Sequence, residues 1–131
     1  SQFVPWLKAL SDRFDFALAP LEDTGFNRYK SALKVLDSAA LGLPVLASDM
    51  PVYRDMAGQV PGLTLVTDTT GDWVTALDAA IAQARTGLTD RAAIRRHVLQ
   101  NYGISDSLSE FDLMIREIII HRFDVADAAV A

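Results

Sequence analysis

The chain has 131 residues and a formal net charge of -5, from 17 Asp plus Glu against 12 Lys plus Arg; 50% of its residues are hydrophobic and 22% are charged. That composition fits one globular domain and argues against a nucleic-acid partner, because scattered basic residues in an acidic chain do not neutralise a run of phosphates. The absence of cysteine excludes a disulfide framework, a thiolate nucleophile and a cysteine-ligated zinc site, and His97 and His121 alone offer few ways to build a metal site or a histidine-based triad.

Phe3, Trp6 and the apolar residues of segment 7–10 have the spacing of a short amphipathic helix that ends near Ser11 and Asp12. No uninterrupted apolar stretch marks a signal peptide here. No apolar run, the isoleucine run at 118–120 included, approaches the roughly 20 residues needed to cross a bilayer. A chain that opens without Met reads as an excerpt of a longer protein. Residues 14–18 (FDFAL), closed by Pro20, predict a buried strand that opens into a polar loop over 22–27. Residues 29–41 lack Gly and Pro and stop at Gly42, as a helix with a glycine C-cap does.

Pro44 then leads into a second strand, 45–47. A short helix around 52–57, with Asp49 as its expected cap, is followed by Gly58 and Pro61-Gly62 and a third strand, 63–66 (LTLV). From 73 to 84, Trp73, Leu77, Ala80, Ile81 and Ala84 recur at helical spacing, with Asp72 as the N-cap. Two further helices follow. The first, 89–100, carries Asp90, Arg95 and Arg96 in an order that suits the helix dipole. The second, 107–123, has Leu108, Phe111, Ile115, Ile118 and Ile119 on one stripe, and an Ala-rich tail frays from 124.

Strands alternating with helices predict an α/β fold: a small parallel sheet with flanking helices, partly Rossmann-like, with a helical C-terminus. The expected organisation is a single domain over 1–131, a fragment of a longer chain. It has an α/β core at 14–84, C-terminal helices at 85–123 and a frayed tail at 124–131.

In open parallel sheets ligands bind at the carboxyl ends of the strands, and anions favour helix amino termini, where unpaired N–H groups and the dipole point at them. Segment 27–37 falls at that place. On a continuous helix Lys30, Lys34 and Asp37 form one stripe at i, i+4 and i+7. With Asn27 as a cap, the two ammonium groups form a cradle for a diphosphate, and Asp37 an acceptor for a ribose diol. The same three residues also suit a merely solvated stripe.

The order FDFALAPL, then NRYKSALKVLDSAALGLPVLASD, then LTLV and the Trp73 helix resembles the carboxyl-terminal, nucleotide-sugar-binding domain of GT-B-fold glycosyltransferases. Within these it is similar to the large retaining family, glycosyl transferases group 1, that includes bacterial polysaccharide mannosyl- and glucosyltransferases. The likeness runs from Phe14 to Ala82, about half the chain. That family marks this helix with two acidic residues seven positions apart; Asp37 matches the second, while Tyr29 stands at the first, and the Asn-x-x-Lys-Ser form matches one branch.

The resemblance implies that Asn27, Lys30, Ser31, Ala32 and Lys34 bind the donor diphosphate, Ser31 and Ala32 through backbone N–H groups, and that Asp37 binds the ribose. It implies a hexosyltransferase that moves a sugar from a nucleotide-diphosphate sugar to an acceptor hydroxyl with retention, with no cofactor and no essential metal. The acceptor is then held by a separate amino-terminal domain. The isolated chain is expected to be inactive, cytoplasmic and free of transmembrane segments, with homodimerisation through the exposed C-terminal helix. The rival expectation is a non-catalytic Rossmann-like interaction module.

Other residues carry blander expectations. Glu22, Asp23 and Thr24 read as solvent-facing loop residues, Ser48 and Asp49 as a turn, Tyr53 as packed and Arg54 as solvated. His97 and His121 read as helix-surface or interface residues, and Trp6 and Trp73 as core.

Overall fold

The computed structural model describes Trp6, Ala9 and residues 11–103. Two compact units divide the chain, Ser1–Asn101 and Tyr102–Ala131, and the sheet with its helices belongs to the first. The predicted helix 107–123, His121 and the tail from 124 lie outside the described residues.

Three strands form one parallel sheet in the order β1 (Ala17–Ala19), β2 (Val45–Ser48), β3 (Leu63–Val66). Ala17 pairs with Val45, and Val45 in turn with Leu63. All four residues of β2 are buried, as befits the central strand of a parallel sheet, where a near-continuous apolar run replaces alternation. On β1, by contrast, Leu18 is 50% exposed. The expected parallel α/β architecture is therefore present, with helices flanking the sheet.

The first strand starts three residues later than the FDFAL run suggests. Ala17 is where the ladder begins, its N–H donating to the Pro44 carbonyl at 2.8 Å. The preceding segment is claimed elsewhere: Arg91 donates from Nη2 to the Ser11 carbonyl at 2.8 Å and from Nη1 to the Phe14 carbonyl at 3.3 Å.

The helix expected over 29–41 is broken. Asn27–Tyr29 form one 3₁₀ turn, Lys30 is extended (φ -72, ψ 154), and α1 runs only over Leu33–Ala40. Lys30 thus leaves the helical stripe, and only Lys34 and Asp37 share a face of α1. Val35 and Ala39 are fully buried against β1, β2 and α4 (Arg91–Asn101), each removing apolar surface from water at roughly 25 cal/mol per Å².

The predicted stop at Gly42 is present as a Schellman motif: Leu43 N–H reaches the Ser38 carbonyl at 3.1 Å and Gly42 N–H the Ala39 carbonyl at 2.9 Å. Gly42 sits at φ +79, and a Cβ there would stand 2.6 Å from the Arg91 carbonyl oxygen.

Helix α2 (Pro51–Arg54) is shorter than the expected 52–57. Its N-cap is Met50, without a side-chain bond, and Pro51 occupies the first turn; Asp49 is engaged by Arg54 instead. Helix α3 (Thr70–Thr86) is longer than 73–84, and Thr69 caps it, not Asp72. The Thr69 hydroxyl oxygen accepts from Asp72 N–H at 3.1 Å, while the Asp72 carboxylate accepts from the hydroxyls of Thr67 and Thr69. In α4, Asp90 accepts from Ala93 N–H at 2.8 Å as a cap, and Arg95 and Arg96 fall mid-helix, not in its last turn.

No residue of α3 is buried. Trp73 is accordingly half-buried and Trp6 is 57% exposed, so neither tryptophan is core. The core is built from Val35, Ala39, Val45, Ala47, Tyr53 and their neighbours.

The two hydroxyl bonds hold the Asp72 carboxyl below its ordinary value of 3.8, Thr67 contributing most. A carboxylate depressed in the folded state stabilises it fully above the ordinary value and loses that contribution as pH falls through the lowered one. We therefore expect acid to fray the start of α3 below pH 3.8, and Asp72→Asn to remove that part of the pH dependence in a helicity titration by circular dichroism. An unchanged acid limb in the variant would count against the cap.

Candidate functional site

The carboxyl ends of β1 and β2 feed the segments that gather the candidate residues. Ser48, the last residue of β2, is buried, and its Oγ accepts from the Leu21 N–H at 2.8 Å. A buried N–H left unpaired costs about 1–3 kcal/mol. Ser48 therefore ties the loop after β1 to the end of β2, a fastening that the expected turn did not include.

Within that loop, Asn27 does not cap α1. Its side-chain amide donates to the Glu22 carbonyl at 2.9 Å and its backbone N–H to Thr24 Oγ1 at 3.2 Å, closing the 22–27 segment on itself. Ala32 is the N-cap of α1 and supplies no side-chain bond. Its carbonyl accepts from Val35 and Leu36 N–H. Among the described residues nothing accepts from the backbone N–H groups of Ser31, Ala32, Leu33 and Lys34. Four consecutive donors thus stand open at the positive end of the helix dipole.

Lys34 and Asp37 are exposed on α1, and neither forms an ion pair among the described residues. Lys30 projects from the extended link, with Nζ 5.2 Å from the centroid of the Phe26 ring, a cation–π contact. Six predicted residues, Asn27, Lys30, Ser31, Ala32, Lys34 and Asp37, therefore lie on one short stretch. They divide into a self-closed loop (Asn27), an extended cation (Lys30) and an open helix end (31–37).

Beside them is a cleft of about 390 Å³ between residues 28–30 and α2, lined also by Pro51, Val52, Arg54 and Asp55. Two of its lining residues, Arg28 and Arg54, are each held by a carboxylate. Arg28 donates to Asp23 from Nε at 2.5 Å and Nη2 at 2.8 Å. Arg54 donates to Asp49 from Nε at 2.6 Å and Nη2 at 3.2 Å, and from Nη2 also to the Asp49 carbonyl at 3.2 Å.

Hydrogen bonding from Arg28 holds the Asp23 carboxyl below its ordinary value, and that from Arg54 does the same for Asp49. Arg28 and Arg54 line the same cleft, and the charge of Arg54 also helps to lower the Asp23 carboxyl. Both pairs are solvent-exposed and act as orienting devices more than as sources of stability.

Sequence alone marks Asp23 and Arg54 as solvated residues and assigns nothing to Arg28. The available signal is an opposite charge five positions away in each loop. Tyr53 is packed as expected, 1% exposed. His97, half-buried in α4, does not line this cleft. Among the described residues, no helix is long and apolar enough to cross a membrane. Comparison of the chain with family models, curated proteins and solved structures found no match.

Proposed function

We propose that the chain is the donor-binding domain of a retaining GT-B-type glycosyltransferase, acting in a longer protein on a nucleotide-diphosphate sugar. The observation that carries this reading is the row of open N–H groups over Ser31–Ala32–Leu33–Lys34, at the strand-end location where α/β sheets take anionic ligands. The motif order from FDFALAPL to LTLV adds the class of ligand. Lys34 lies in the first turn of α1 and Lys30 in the link before it, placed to offset diphosphate charge. Asp37, one turn beyond Lys34, is the ribose acceptor.

In the transfer, the bond from the anomeric carbon to the diphosphate oxygen breaks and a bond to the acceptor oxygen forms. The acceptor proton leaves with the diphosphate. Charge developing on the departing diphosphate is what the open N–H groups and the two ammonium groups stabilise, an electrostatic contribution of the oxyanion type. Asn27 shapes the loop that leads to this end, and its part is positional.

The test is a titration with UDP, GDP and ADP followed by amide NMR shifts. Shifts centred on residues 31–37 are expected for at least one nucleotide. Lys34→Ala should weaken that binding about tenfold, the value of one charge-assisted hydrogen bond. Silence with all three at millimolar concentration overturns the reading and leaves the non-catalytic interaction module in its place.

A further inference from the structure

The cleft beside α1 holds two guanidinium groups, of Arg28 and Arg54, that a diphosphate at residues 31–34 does not use. Three basic side chains, Arg28, Lys30 and Arg54, line it against one carboxylate, Asp55. Asp23 occupies Nε and Nη2 of Arg28, and Asp49 occupies the same two nitrogens of Arg54. Nη1 of each guanidinium donates to nothing among the described residues.

The carboxylates do more than cancel charge. Each fixes its arginine in one orientation, so the ordering cost of a long side chain is met before any ligand arrives. What remains on offer is one open nitrogen, Nη1, on each of the two arginines that line the cleft. Guanidinium donors in fixed orientation match the planar geometry of carboxylate or phosphate oxygens. Tyr29, 92% exposed, sets an aromatic ring at the rim, and half-buried Val52 adds an apolar surface. The space is about 390 Å³ and largely open to solvent, which suits one substituent of a ligand and not a whole enclosed molecule.

We propose that this cleft holds an anionic substituent, a carboxylate or a phosphate ester, on the saccharide that the protein handles, with Nη1 of Arg28 and Nη1 of Arg54 as donors. The saccharide half rests on the glycosyl-donor reading; the anion half rests on the cleft.

Titrating the 131-residue chain with glucose, glucuronate and glucose 6-phosphate, followed by amide shifts, tests it. At least one acid should move the amides of residues 28–30 and 52–55 and bind at least about tenfold more tightly than glucose, as one charge-assisted contact implies. Whichever acid wins identifies carboxylate or phosphate. Arg54→Gln and, independently, Arg28→Gln should bring the preference over glucose back towards unity while the circular dichroism spectrum is kept. Equal binding of glucose and both acids, or a preference that survives in both variants, overturns the proposal.

A parallel UDP and GDP titration separates the two readings. Nucleotide shifts at 31–37 without acid preference remove only the anion cleft. Acid preference without nucleotide shifts removes only the nucleotide reading, and the absence of both removes the two together.

Discussion

Gly42→Ala is expected to lower the unfolding free energy by about 3 kcal/mol, roughly 1 from placing a Cβ at positive φ and roughly 2 from strain at the contact. Here φ is +79, and the new Cβ would meet the Arg91 carbonyl oxygen at 2.6 Å, with Arg91 Cβ a further 3.2 Å contact. Backbone at the start of α4 cannot retreat as a flexible side chain can. Gly87→Ala is the control: its φ is also positive, +66, but nothing lies within 4 Å, so only the conformational part, about 1 kcal/mol, should appear. Urea unfolding of the two variants and the parent measures both. Equal losses would mean that α4 does not press on the turn after α1.

Tyr53→Ala should cost about 4 kcal/mol, in the range for deleting a buried aromatic ring. Tyr53 is 1% exposed and is the largest fully buried side chain among the described residues. It sits in the four-residue α2, which has too few internal hydrogen bonds to persist by itself. The buried ring is therefore what anchors this helix, and with it Arg54 and one wall of the cleft. Tyr53→Phe keeps the ring and should lose about 1 kcal/mol or less. A small loss for the alanine variant, by the same unfolding measurement, would show that α2 is held by something other than its tyrosine.

These positions also show which features local sequence encodes. Strands β2 and β3 were legible because VLAS and LTLV are short apolar runs bounded by proline or glycine. The end of α1 was legible because glycine after a helix marks a left-handed cap. Beginnings were harder. Where β1 starts is decided by Arg91, 77 and 80 residues along the chain from the carbonyls it binds, and no window over FDFAL contains that partner.

The start of α1 was missed for a more local reason. Segment 29–41 has no helix breaker, but Asn27 and Thr24 spend their polar groups within the preceding loop, and the chain turns, extends at Lys30 and starts again at Leu33. At the candidate site, Lys34 and Asp37 stand on an exposed helix face as the spacing requires. The Arg28–Asp23 and Arg54–Asp49 forks were not foreseen, because pairs five apart meet only when a turn folds one back on the other.

Helix α3, with none of its residues buried, has a dynamic consequence. With only a half-buried stripe, Trp73, Ala76, Leu77, Ala80 and Ala84, to hold it, it leans heavily on its two ends, the Thr69–Asp72 cap and the left-handed Gly87. In native-state hydrogen exchange its amides should open as a separate unit at low free energy, well before those of fully buried β2. Loosening either end would speed exchange along its whole length and leave the protection of the central strand unchanged.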